Sequence, residues 1–264
     1  MWDDVQSYER EFDDAAFDLG WWRGVLDRTR STRVLELACG TGRLTIPLAR
    51  HGIGLAPGFE IAGLDASPPM IARATEHLAA APPEVAAATS FAVGDMRSFD
   101  LGRLCDLIIL GYNGLAYIHT ISDQLACLRA VRRHLAPGGR FVIDLIVPQH
   151  TFLAEAQVVP PPLRLEIDHA LPDEEIEGFY RTCADRYDAS TQTIHSTYFY
   201  SVHHADGRLE QFTKRLDWHM YYPHELELLM RAAGLEVIER LGNYQGDPFN
   251  SRSKQYLWTM AAAE

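Results

Sequence analysis

Between residues 33 and 147, short apolar runs alternate with segments of helical period, and this alternation restricts the fold more than any other feature. Val34-Leu35-Glu36-Leu37 is a mostly apolar strand, and Gly40-Thr41-Gly42 breaks it. A helix is expected from there to about Arg50, with Gly52 beyond its end. Pro47 removes one helical donor, which a first turn tolerates. Ile61 to Leu64 reads as a second strand ending at Asp65, and Pro68 and Pro69 suit the first turn of a helix to about Ala80. Ala79 to Ala88 reads as an Ala/Pro loop, and Phe91 to Val93 as a third strand. The continuous run from Asp106 to Leu110 has the pattern of a strand buried on both faces. Over residues 123–135, Leu125, Leu128, Val131 and Leu135 share one helical face. Pro137-Gly138-Gly139 then stops the helix, and Arg140 to Ile146 returns as a strand. Such alternation implies a parallel sheet covered by helices on both faces.

The pattern changes after Pro148. Residues 176–187, 191–205 and 208–220 are rich in β-branched and aromatic side chains and poor in helix breakers. Asp206-Gly207 between the last two is a hairpin turn signal. With Leu163 to His169 as a further strand, an antiparallel layer of three or four strands is expected. The earlier pattern resumes at Pro223, which opens a helix that Gly234 ends. Leu235 to Leu241 and Gln255 to Met260 read as two closing strands. Before the first strand, residues 1–30 suit two short helices.

Charge and composition remove several classes of function. The formal net charge of the 264 residues is -12, and no block of Lys or Arg offsets it locally. Such a surface repels phosphate backbones, so no nucleic-acid partner is expected. No apolar run approaches the roughly 18 residues of a membrane helix, so no membrane partner is expected either. Met1-Trp2-Asp3-Asp4 is acidic rather than basic and then apolar, which reads as no signal peptide and a cytoplasmic location. The four cysteines (Cys39, Cys105, Cys127, Cys183) form no CxxC pair and read as buried free thiols. His203-His204 would point to opposite faces of a strand, so no metal site is expected.

Glu36-Leu37-Ala38-Cys39-Gly40-Thr41-Gly42, between a strand and a helix, is the strongest chemical signal. A glycine-rich turn lets backbone amides approach a ligand, with a helix N-terminus behind it. A tight structural turn would look the same. Asp65 adds to it, because an acid at the end of the second strand can accept both hydroxyls of a ribose. A dinucleotide would be served by the same acid. The full GxGxxG pattern is absent, however, since position 45 is Thr, and Glu36 precedes the glycines. A carboxylate repels pyrophosphate and attracts a sulfonium or ammonium.

This series resembles the successive motifs of the class I S-adenosylmethionine-dependent methyltransferases. Glu36 to Gly42 resembles the first motif, which implies that Glu36, Ala38, Gly40, Gly42 and Arg43 hold the methionine part. Asp65 resembles the ribose acid, with Ala66 beside it and Met70 against adenine. Gly94-Asp95-Met96 resembles the third motif, in which Asp95 would bond the adenine amino group. Leu110-Gly111-Tyr112-Asn113 resembles the fourth, where carbonyls meet the methionine ammonium. Tyr221-Tyr222-Pro223 and Gly246-Asp247-Pro248-Phe249 are similar to a bacterial small-molecule subgroup related to aminosugar N-methyltransferases. The resemblance implies an α/β fold: a Rossmann-like, doubly wound, seven-stranded and mostly parallel sheet with an inserted antiparallel β-layer. It implies a helical lid over residues 1–30, a core of 31–148 and 221–264, and a 149–220 insert covering the acceptor site.

Methyl transfer from a sulfonium is an in-line displacement, so alignment matters most, and a base is needed only where the nucleophile carries a proton. His119, past the fourth strand, is the first candidate for that base; Tyr8 and Asp144 follow. Trp21, Tyr112, Asn113, His119, His219, Tyr221 and Tyr244 are the candidates for acceptor contacts. Each also has a plain packing role open to it. The expected function is methyl transfer from S-adenosylmethionine to an aromatic, heteroaromatic or amine metabolite, with no metal. A homodimer is one expectation for the assembly. The alternatives are a non-catalytic S-adenosylmethionine-binding protein and a nucleic-acid methyltransferase. The place of the Asn/Asp-Pro-Pro-aromatic run of many such nucleic-acid enzymes reads Gly111-Tyr112-Asn113-Gly114 here.

Overall fold

A computed structural model describes residues 5–12, 17–169 and 176–263 of the chain. It divides into two compact units, one formed by residues up to Val147 and from Tyr222 on, the other by Pro148–Tyr221.

The first unit opens with α1 (Val5–Phe12) and α2 (Leu19–Thr29). Trp21, Trp22, Val25 and Leu26 recur at helical spacing on α2, and all are buried in the core. Truncating a side chain such as Trp22, 1% exposed, would cost about 3–5 kcal/mol. Arg30 ends α2 in the left-handed region at φ 51, and its N–H returns to Leu26 O. Then come β1 (Arg33–Leu37), α3 (Thr45–Leu55), β2 (Glu60–Asp65), α4 (Pro68–Ala79), α5 (Pro83–Ala87), β3 (Thr89–Val93) and β4 (Cys105–Leu110). A 3-10 turn (Gly114–Tyr117) leads to α6 (Ile121–His134) and β5 (Leu135–Ile146).

The second unit holds α7 (His150–Glu155), β6 (Leu163–His169), β7 (Ile176–Asp188), β8 (Thr193–His204) and β9 (Leu209–His219). The chain then returns to the first unit with α8 (Pro223–Ala232), β10 (Leu235–Leu241) and β11 (Gln255–Ala262).

The larger sheet has seven strands in the order β10-β11-β5-β4-β1-β2-β3. Its pairings are parallel except where β11 joins β5 and β10, both antiparallel. Chain order reverses between β1 and β4, and ligands of open α/β sheets bind beyond the carboxyl ends at such a switch point. The other sheet runs β6-β7-β8-β9 and is antiparallel throughout. Its core is Ile167, Ile176, Phe179, Tyr200 and Val202.

Both sheets match the sequence expectation, with local differences, one being that β5 begins at Leu135 rather than Arg140. The helix after the glycine turn runs on through Gly52 to Leu55. Gly52 is accepted because the Phe59 ring fills its place, 2.3 Å from where a Cβ would stand. Pro47 falls third in that helix, where its missing N–H has no partner to lose. The expected Ala/Pro loop contains α5, with Pro83 in its first turn. The helix read as 123–135 begins at Ile121, because the Thr120 hydroxyl accepts the Asp123 N–H (3.2 Å) as an N-cap. The short helix α7 was not anticipated at all. All four cysteines are free and buried. Among the described residues no helix is long and apolar enough to cross a membrane.

Candidate active site

At the carboxyl ends of β1, β2, β3 and β4 lies a cavity of about 380 Å³, within the range of small-molecule sites. Its floor is the turn after β1. Ala38 and Gly40 both sit at positive φ, 54 and 55. Gly40 has a second reason to be glycine, since an added Cβ would meet the Tyr8 hydroxyl at 3.3 Å. Tyr8 reaches this point because Glu9, next on α1, bonds Arg73 Nε (2.8 Å) and His77 Nε2 (3.0 Å) of α4. Burial pushes the Tyr8 phenol well above its ordinary pKa.

Asp65 ends β2 with its carboxylate already oriented. Gly40 N–H donates to one oxygen and Ser67 N–H to the other, each at 2.9 Å. A carboxylate offers about four acceptor directions, so lone pairs remain for a diol. Ala66, Met70, Gly94, Asp95 and Met96 continue the same wall. Met70 is 2% exposed and supplies an apolar surface. Asp95 is gripped by Arg97, which holds its carboxyl below the usual range.

The opposite wall follows β4. Tyr112 and Asn113 are both left-handed, at φ 44 and 61. The strained turn is fixed from β5: Asn113 N–H donates to Asp144 O (2.9 Å), and Ile146 N–H donates to Asn113 Oδ1 (2.6 Å). Gly111, Tyr112, Tyr117, Ile118 and His119 line the cavity here, and His119 is exposed.

Ten of the sequence candidates do not line it. Glu36 is buried beneath the turn, bonded by the Thr45 hydroxyl, and desolvation lifts its carboxyl to about 8. Gly42 and Leu110 are likewise not among the lining residues. Arg43 forks onto the fully buried Asp18 (2.7 and 2.9 Å), with its guanidinium over the Tyr112 ring at 5.5 Å. Asn113 is spent on the β5 bonds above. Asp144 stands behind Tyr112, accepting the Tyr244 hydroxyl (2.8 Å) and the Tyr112 N–H (3.4 Å). Trp21 and Tyr244 pack edge-on, 6.2 Å apart, next to them. His219 and Tyr221 belong to the other unit, where their rings meet at 4.6 Å. Sequence reasoning missed Ser67, Arg97, Thr120 and Asp123, all in the lining. Thr120 alone carried a readable signal, an N-cap residue ahead of an acidic first turn.

A β1 glycine turn, an acid closing β2 and a cavity at the β1/β4 switch point define a Rossmann-like site for an adenosine-containing ligand. Comparison with known proteins narrows the class. A family described as "Methyltransferase domain" matches residues 34–139. Cypemycin N-terminal methyltransferase of Streptomyces sp is 27% identical over 226 residues, 85% of this chain and 80% of that protein. A dTDP-4-amino-2,3,4,6-tetradeoxy-D-glucose N,N-dimethyltransferase of Saccharopolyspora spinosa is 37% identical over 122 residues, 45% of this chain and 43% of that one. The structure of the CcbJ methyltransferase from Streptomyces caelestis superposes with a TM-score of 0.72 at 27% identity, covering 94% of this chain and 90% of that one. The chain is a class I S-adenosylmethionine-dependent methyltransferase.

Proposed function

We propose that the protein methylates the nitrogen of a small-molecule amine. The observation that carries this is the acidity of the cavity. Asp65, Asp95 and Asp123 line it against a single Arg97, in a chain of net charge -12. Such a field concentrates cationic ligands. The relatives named above, an N-terminal methyltransferase and an aminosugar N,N-dimethyltransferase, support an amine acceptor.

The residues present fit the cofactor. Asp65 keeps acceptor capacity for the ribose hydroxyls, and Met70 offers an apolar face to adenine. Ala38 and Gly40, both at positive φ, bring the turn after β1 into the cavity lining. Bound there, S-adenosylmethionine supplies an activated methyl group. The chain's own part is then to align the nitrogen, exclude water and take one proton. His119, on the wall after β4, is the residue assigned to that proton. Tyr8 closes the methionine end, and Asp144 acts indirectly by holding the Tyr112 turn.

The test is titration with S-adenosylmethionine, followed by methyl-transfer assays on matched amines, phenols and carboxylates. One-site binding with turnover on amines alone is expected, reduced about 100-fold by His119→Ala at neutral pH, the usual scale of general-base loss. Turnover on phenols alone would replace the amine reading. Binding without turnover on any acceptor would favour a non-catalytic binding protein.

A further inference from the structure

Arg97 lines the cavity directly after the Gly94-Asp95-Met96 turn, and the reading above gives it no task. Its guanidinium forks onto Asp95. Nε lies 3.0 and 2.9 Å from the two carboxylate oxygens, and Nη2 lies 2.6 Å from Oδ2. The Arg97 backbone N–H adds a contact of 2.8 Å to Oδ1. One residue therefore engages about all four acceptor directions of the carboxylate. The same guanidinium reaches across the cavity: Nη1 donates to Asp123 Oδ2 at 3.1 Å. Asp123 sits in the first turn of α6, where an acid is also favoured by the helix dipole. The loop after β3 and the start of α6 are thus joined by one side chain.

The three side chains are 45, 39 and 40% exposed, so the pairs add little to stability. Their value lies in geometry. A forked guanidinium fixes the plane of a carboxylate, which a lysine ammonium cannot do. Nε is shared between the two oxygens. It can settle on Oδ1 and leave one Oδ2 direction for an incoming N–H.

We propose that Arg97 is a positioning residue for the adenine end of the cofactor, fixing the plane of Asp95 and bracketing that wall to α6. The proposal rests on the reading of Asp95 as acceptor of the adenine amino group. It makes the contribution of Arg97 depend on that amino group being present.

Calorimetric titration of wild type, Arg97→Ala and Arg97→Lys tests this, with S-adenosylhomocysteine and its 6-deamino analogue, in which purine replaces adenine. Arg97→Ala is expected to weaken S-adenosylhomocysteine about tenfold, the size of one charge-assisted hydrogen bond. The analogue should weaken less than about twofold, and Arg97→Lys should fall between wild type and alanine. Equal losses for both ligands would mean that Arg97 only supports the fold of the wall, and would overturn the proposal. No loss with either ligand would overturn it too. A wild type that binds neither ligand would remove the cofactor reading itself, an outcome distinct from the other two.

Discussion

In the antiparallel layer, Asp185 is 2% exposed and meets the Arg164 guanidinium, the Ser196 hydroxyl and the Cys183 thiol, the last at 3.2 Å. Glu166 beside it is bracketed by Arg164 and Arg181, at 3.3 and 3.1 Å. At the carboxyl edge of the parallel sheet, Asp65 is held by two backbone N–H groups, Glu36 by a hydroxyl and Asp144 by a phenol and an N–H. Layer acids are answered by cations, whereas these edge acids are oriented by neutral donors, and of the three Asp65 alone lines the cavity. The first arrangement ties neighbouring strands together, and the second leaves Asp65 with acceptor capacity at the cavity. Asp18 with Arg43, outside the lining, and Asp95 and Asp123, which share Arg97 within it, are the exceptions at the edge. The contrast also explains the one group of metal-ligand type among the described residues. Glu166, Cys183 and Asp185 place ligand atoms within 4.8 Å of one another, but two arginines already answer their charge.

The largest effect is expected in the layer. Asp185→Ala removes the buried carboxylate that Arg164, Ser196 and Cys183 meet, leaves Arg164 only Glu166 at 3.3 Å of its two acids, and should lower the unfolding free energy by about 3–5 kcal/mol in denaturant titrations. Cofactor affinity of the folded protein should stay within about twofold, since no cofactor contact is removed. Replacing the pair together, with Asp185→Leu and Arg164→Met, should recover most of the loss. A stable Asp185→Ala protein with weakened cofactor binding would break the comparison outright.

Asp65→Ala should do the reverse. Two hydrogen bonds to a charged acceptor disappear, so binding of S-adenosylhomocysteine should weaken about 100-fold or more in calorimetry. Its denaturation midpoint should move far less than that of Asp185→Ala. Unchanged affinity would mean that Asp65 serves only the Gly40 and Ser67 amides.

The same contrast separates what the sequence made legible from what it hid. Val34 to Leu37, Asp106 to Leu110 and the helix at 123–135 declare themselves, because burial on a periodic backbone leaves a periodic trace. The Asp206-Gly207 hairpin does so through its turn chemistry. The cavity wall was readable because Gly40, Asp65 and Asp95 stand where the chain itself turns. Arg97 and Asp123 were not, since the contact that joins them across 26 residues is supplied by folding. Glu36 illustrates the same limit. Its place in the motif is local, but its burial beneath Thr45 and its raised pKa are tertiary facts. Asp144 was read as a group facing substrate, and the fold sets it behind Tyr112, where Tyr244 meets it from 100 residues away.

Asp144 gives the finest test of the comparison. Burial lifts its carboxyl to about 6, against the lowering effects of the Tyr244 hydroxyl and the Tyr112 N–H. Between its ordinary value of 3.8 and about 6, the native protein holds a proton that the unfolded chain has released. The resulting stability is present in full below about pH 4 and is lost as pH rises through 6. Asp144→Asn keeps an acceptor for the Tyr244 phenol while removing the charge. It should therefore be more stable than wild type at pH 8, by about 1–3 kcal/mol, with the difference fading towards pH 4. Paired denaturant titrations at pH 4, 6 and 8 would measure it. A mutant less stable than wild type at pH 8 would mean that Arg43 answers Asp144 as Arg164 answers Asp185. The edge acids would then no longer differ in kind from those of the layer.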